Sequence, residues 1–152
     1  MTVGKKNLDQ VKATSEVILE GNADAGRYRP FEFLNNLALR MAAGAADIII
    51  SRAGSTIYEI ALWKTPSIIV PITESNGDHQ RKNAFSYARS GAAIVIEEKN
   101  LSPHILTTEI KRVLDDPELQ EKMKKGAEKF AHPNAAHLIA KALIDIALEH
   151  ES

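Results

Sequence analysis

Residues 46–60 constrain the fold of this chain more than any other stretch. Three consecutive isoleucines, Ile48, Ile49 and Ile50, run through Ser51, Arg52 and Ala53 into Gly54, and an apolar helical pattern follows at once. A continuous β-branched run suits a parallel strand covered on both faces. Gly54 lets the backbone turn sharply at the strand's carboxyl end, and Ser55 or Thr56 is placed to cap the next helix. The first N–H groups of that helix then point into the cleft at the strand end, where they and the positive end of the helix dipole favour an anion such as phosphate. Glu59, one helical turn further on, carries oxygens suited to sugar hydroxyls.

Phosphate donors followed by a hydroxyl acceptor suit a nucleotide sugar. The same residues also suit any strand-to-helix turn, with Gly54 serving only the turn and Glu59 solvated on a helix, and both readings stand at this point.

The rest of the chain repeats the alternation. A brief helix is expected over 7–14 and a strand over 16–19, then a loop over 21–29. A helix over 36–43 precedes the strand 47–51, and the next helix runs over 55–63 to the Thr65-Pro66 break. Further strands are expected over 67–70 and 93–96, with a helix over 78–89 between them, capped by Asp78 and stopped by Gly91. Ser102-Pro103 and Asp116-Pro117 each place a capping residue before proline at the first helical position, which opens helices after 103 and over 118–130. A final amphipathic helix over 134–149 follows Pro133. Strands alternating with helices give an α/β fold: a Rossmann-like parallel sheet with helices on both faces, in one domain over 1–152.

With 152 residues, 44% of them hydrophobic, the chain can bury a sizeable core. A net charge of −1 leaves no charge excess behind wholesale binding to nucleic acid. The absence of cysteine excludes disulfides, thiolate catalysis and cysteine-ligated metals. His104, His132, His137 and His150 lack the spacing of a metal site, so neither a metal nor a cofactor is expected. No apolar run approaches the ~20 residues of a membrane helix, and the start lacks a signal-peptide core.

A second polar constellation, residues 74–83, enters a helix just after the strand ending at Pro71. Loops at the carboxyl ends of adjacent parallel strands share one cleft, so Asp78, His79 and Gln80 are candidates to face a ligand held over residues 54–56. Gln80 offers an amide donor and acceptor to sugar hydroxyls, whereas Asp78 also suits a helix N-cap and His79 a surface position. Arg52 is placed either to meet a phosphate or to brace the turn. Phe33 and Leu34 are placed to form a slot for a flat base or to join the core, with backbone groups near Leu34 able to read a base edge.

In its ordered motifs the chain resembles the carboxyl-terminal domain of the MurG family, the UDP-N-acetylglucosamine transferases of peptidoglycan lipid II synthesis. The resemblance rests on Ala46-Asp47 leading through Ser51-Arg52-Ala53-Gly54 to Glu59, on residues 66–71, on Asp78-His79-Gln80 with Asn83-Ala84, and on Gly91-Ala92-Ala93. It implies the carboxyl-terminal half of a two-halved (GT-B) glycosyltransferase that binds UDP-GlcNAc. By the same resemblance Ser55, Thr56 and the N–H groups of the turn serve the diphosphate, and Glu59 the ribose. Leu34 would meet the uracil through its backbone, and His79 with Gln80 the GlcNAc, while Arg52, Gly54 and Asp78 remain binding candidates from their positions alone. The chain has one residue fewer between Gly54 and Glu59 than many family members, which leaves Ser55 and Thr56 as alternative phosphate partners. The implied reaction inverts at the anomeric carbon without a metal. Its base belongs to the other, acceptor-binding half, so no catalytic residue is assigned here.

The resemblance further implies that the chain starts inside the donor domain. A sheet short of a strand is expected to expose apolar edges and to need a partner chain, an acceptor domain or self-association. The implied location is the cytoplasm, peripheral at the inner face of the plasma membrane. Two other readings belong to different classes: a nucleotide-sugar-binding or interaction module without turnover, and an epimerase acting on UDP-GlcNAc.

Overall fold

The computed structural model of the chain describes residues 2–72 and 78–149, in two compact units, 1–42 and 43–152. In the first unit a 3-10 turn, Lys5–Asn7, leads into helix α1, Leu8–Ile18, and a second such turn, Ala25–Arg27, precedes helix α2, Asn36–Gly44, inside which the division falls. Thr2 bridges Phe31 in parallel, with the Val3 N–H donating to Phe31 O at 3.0 Å. The strand expected over 16–19 is absent: those residues extend α1 or form the turn after it. Leu8, Val11, Ser15 and Ile18 share one side of this helix at three- and four-residue spacing, and a lone helix satisfies its own backbone where a strand would need a neighbour.

The second unit carries three parallel strands in the order β1-β2-β3: Ile49–Ser51, Ser67–Ile69 and Ala93–Val95. Ile50 pairs in register with Ile68, and Ile68 with Ile94. Between the strands run α3, Thr56–Trp63, and α4, His79–Arg89, and after them α5, Pro103–Leu114, α6, Pro117–Phe130, and α7, Ala135–Glu149. Side-chain alternation divides the sheet's surroundings in two. Ile69 points to the side of Ala53, Ile57, Ile60, Ala84, Tyr87 and Ala127, a cluster built by α3, α4 and α6. Its neighbours Ile68 and Val70 point the other way, with Ile96, onto Leu106 and Ile110 of α5. Central β2 is accordingly buried along its whole length. This is the α/β arrangement expected, helices on both faces of a parallel sheet. On edge strand β1, Ile50 is 45% exposed.

Several joints show why these elements end where they do. The Ser102 hydroxyl accepts from the Ile105 N–H at 3.2 Å and the Asp116 carboxylate from the Leu119 N–H at 2.9 Å, so both cap-then-proline starts form as the sequence indicates. Gln120 closes the preceding helix by donating to the carbonyls of Val113 and Leu114. Gly91, at φ 86°, makes the turn from α4 into β3, a conformation that favours glycine. Against that turn packs Gly126 of α6, whose missing Cβ would fall 2.6 Å from Ala92 N, Gly91 C and Ser90 O. Phe130 stacks on Tyr58 at 5.7 Å and meets Tyr87 edge-on at 4.8 Å, tying α3, α4 and α6 into one layer.

Candidate functional site

The carboxyl ends of β1 and β2 deliver the two segments singled out in the sequence to neighbouring positions. From β1 the chain passes through Arg52 and Ala53 into α3, whose first backbone bonds run from the Ile57 N–H to Gly54 O and from the Tyr58 N–H to Ser55 O. The N–H groups of Ser55 and Thr56 precede those donors, so they belong to the helix start that has no partner within the helix.

Two details of this turn differ from expectation. Gly54 does not use a left-handed backbone, so the turn itself does not demand glycine there, and a Cβ at that position would meet nothing within 4 Å. Neither Ser55 nor Thr56 caps α3 with its side chain. Ser55 occupies the N-cap position in helical backbone geometry, not the extended geometry of a capping serine, and makes no side-chain cap bond.

The opposite wall is α4. Asn83 donates from Nδ2 to Ala53 O at 3.4 Å, and Gln80 Oε1 accepts from the Ile72 N–H at 3.2 Å. The start of α4 is therefore fastened to the β1–α3 turn and to the end of β2. This fastening occupies the Gln80 carbonyl oxygen expected to serve a sugar. Asp78 precedes the helix with φ 58°, in the left-handed region, and makes no side-chain cap bond; the expected cap is replaced by backbone geometry and by the Arg81 guanidinium 4.0 Å away. His79 is exposed at the first helical position, and Glu59 is exposed one turn into α3. Leu34 lies in the first unit, half-buried in the segment before α2. Residues 74–77 of the second constellation lie outside the described residues.

Sequence reasoning missed the residues that close the third side. Glu97 and Glu98 follow β3 at its carboxyl end and bind cations from three elements. Arg52 Nη2 meets Glu98 Oε1 at 2.7 Å, Arg81 Nε meets Glu97 Oε1 at 2.9 Å, and Lys99 Nζ meets Glu97 Oε2 at 3.1 Å. The hydrogen bond from Lys99, with the positive charge of Arg81 beside it, holds the Glu97 carboxyl below its ordinary value. Arg81 also lies 5.8 Å from the centre of the Phe85 ring. Pro71, Ile72, Asp78, Arg81 and Glu97 line a small cleft of about 100 Å³. Arg52, placed in the sequence either to meet a phosphate or to brace the turn, thus pairs with a carboxylate of the segment after β3. The available signal was positional: two acidic residues at the carboxyl end of an expected strand, where parallel sheets gather their functional loops. Among the described residues no group of three potential metal ligands comes together, and no helix is long and apolar enough to cross a membrane.

The family description of the glycosyltransferase family 28 C-terminal domain matches residues 1–139. The chain belongs to this family. Among its relatives is the UDP-N-acetylglucosamine--N-acetylmuramyl-(pentapeptide) pyrophosphoryl-undecaprenol N-acetylglucosamine transferase of Anaeromyxobacter sp. (strain K), 37% identical over 116 residues, which are 76% of this chain and 30% of that protein. The protein of the same name from Limosilactobacillus reuteri is 31% identical over 150 residues, 97% of this chain and 39% of its own length. A crystal structure of Acinetobacter baumannii MurG superposes with a TM-score of 0.78 at 27% identity, covering 95% of this chain and 40% of that one. The family 28 domain described here is therefore a MurG carboxyl-terminal domain, and the resemblance read from residues 46–93 is borne out. It spans between 30% and 40% of the length of these proteins.

Proposed function

We propose that residues 1–152 act as the donor-binding domain of an inverting transferase that moves GlcNAc from UDP-GlcNAc to a lipid-linked acceptor in lipid II synthesis. The observation that carries this reading is the fastening of the α4 start to the β1–α3 turn by Asn83 and Gln80, which sets two helix N-termini side by side above the ends of β1 and β2. In this reading the N–H groups of Ser55 and Thr56, with Arg52 and Gly54, receive the diphosphate, while Glu59 accepts from the ribose hydroxyls and Asp78, His79 and Gln80 face the GlcNAc.

The chemistry is the one that the family resemblance implies. An acceptor hydroxyl loses its proton to a base in the acceptor half and forms a bond to the anomeric carbon, while the bond from that carbon to the diphosphate oxygen breaks with inversion. Charge builds up on the departing UDP, where helix-terminal N–H groups and Arg52 stabilise it more strongly than they stabilise the intact donor. The names of the relatives, which give UDP-N-acetylglucosamine as donor and an undecaprenol-linked acceptor, support this reading. Work at the cytoplasmic face of the membrane, and an acceptor half supplied by a further domain, a partner chain or a second copy, belong to the same proposal.

The test is to mix the purified chain with the separately produced amino-terminal half of the Acinetobacter baumannii relative and follow UDP release with a lipid acceptor. Transfer dependent on both components is expected. Donor binding by the chain without transfer in any pairing would replace this reading by that of a non-catalytic nucleotide-sugar module, and N-acetylmannosamine products would replace it by an epimerase.

A further inference from the structure

Arg52 and Glu98 stand 46 residues apart in sequence, beyond the carboxyl ends of the two outer strands of the sheet. Arg52 follows the end of β1 and Glu98 the end of β3, with β2 between them. The 2.7 Å contact of Nη2 with Oε1 therefore joins the two segments that flank the carboxyl end of β2. The arginine stands two residues ahead of Gly54, with about half of its side chain still exposed. An arginine has five N–H donors in a rigid plane, and one contact to a carboxylate orients the rest. As a bond between half-exposed groups the pair contributes little to stability, which leaves its geometry as its consequence.

We infer that Glu98 is a positioning residue: it holds the Arg52 guanidinium flat across the strand ends, so that its remaining N–H groups meet the diphosphate of a nucleotide bound at the β1–α3 turn. The adjacent Glu97 pairs with Arg81, tying this cation of α4 to the segment after β3. The inference rests on the donor-site reading above and adds to it a residue that touches no ligand. Without Glu98, Arg52 recovers its rotamer freedom, and binding has to restrict it again. The loss falls on the phosphates alone, because uridine without them has no use for the guanidinium.

The experiment is calorimetric titration of the full chain and of Glu98→Gln, Arg52→Gln and the double variant with UDP and, separately, with uridine. Glu98→Gln is expected to weaken UDP binding about fivefold, the scale of one side chain's lost preorganisation, and to leave uridine binding and the unfolding temperature unchanged. In the Arg52→Gln background it is expected to add nothing, since the two residues act as one unit. Equal weakening of UDP and uridine would overturn the inference, making the pair a structural brace. Tighter UDP binding by Glu98→Gln would also overturn it, making Glu98 a competitor of the diphosphate for Arg52. A wild-type chain that binds uridine and UDP equally would overturn the phosphate site itself, and an unchanged UDP-to-uridine ratio in Glu98→Gln, with a preference for UDP intact in the wild type, would overturn only the role of Glu98.

Discussion

Gly126 shows how much a single missing side chain decides. It lies in the middle of α6, where glycine costs helix stability relative to alanine, yet a Cβ there would press on three backbone atoms of the Ser90–Ala92 turn at 2.6 Å. Backbone cannot swing aside as a side chain can, so Gly126→Ala is expected to destabilise the domain by about 3 kcal/mol despite the better helix propensity, at the top of the range for overpacking. Urea unfolding of the two proteins measures this directly. Tyr87 makes the opposite kind of demand. Its ring is fully buried, and its hydroxyl and that of its neighbour Ser67 have no well-formed hydrogen bond among the described residues. Burial pushes the phenol up to about 12, with the nearby Ser67 hydroxyl partly offsetting the rise. The folded state therefore keeps its proton where the unfolded chain, with an ordinary tyrosine value near ~10, gives it up. Stability from this residue is intact below pH ~10 and falls as pH rises towards 12, by roughly 2–3 kcal/mol in all. Tyr87→Phe should remove that alkaline loss, seen as a flatter dependence of the urea midpoint on pH between 9 and 12.

Helix starts illustrate which elements could be read from neighbouring residues. The caps at Ser102 and Asp116 need only an oxygen, a proline and a helical pattern within four residues, and both formed. Removing the Asp116 cap in Asp116→Ala is expected to cost about 1 kcal/mol, measurable as a lower unfolding temperature, with the far-ultraviolet spectrum of the folded protein unchanged. Strand–turn–helix order from Ile49 onward was legible for the same reason, since a buried isoleucine run and a break at Gly or Pro are local signals. The helix expected over 7–14 is present, but the end of α1 was misread as a strand because Val17, Ile18 and Leu19 have strand-like composition over a stretch too short to reveal its period. Only the spacing back to Leu8 and Val11 shows that the helix continues. At the start of α3 and α4, serine and aspartate stood where caps belong, but the backbone put Ser55 in helical geometry and Asp78 in the left-handed region. Such choices are made by the packing of the next layer and carry no local signature.

At the scale of the molecule, the candidate site is where three strand ends meet, and legibility divides accordingly. Residues 52–59 and 78–83 could be placed at one cleft from the rule that parallel strands present their carboxyl ends together. Their fastening could not, because the Asn83–Ala53 and Arg52–Glu98 contacts join residues 30 and 46 apart, across elements whose register no sequence pattern states. The same geometry limits what the sheet does alone. In the proposed reaction it presents donors for a nucleotide, and the acceptor and the base come from the other half of the enzyme. The central claim is thus a claim about binding, and calorimetric titration of the chain with UDP-GlcNAc, beside Glu59→Ala, tests it most directly. The account predicts weak but measurable binding that falls about tenfold in the variant, the scale of one hydrogen-bonded carboxylate. A folded chain that binds no UDP-GlcNAc, or a Glu59→Ala variant that binds it equally well, would contradict it.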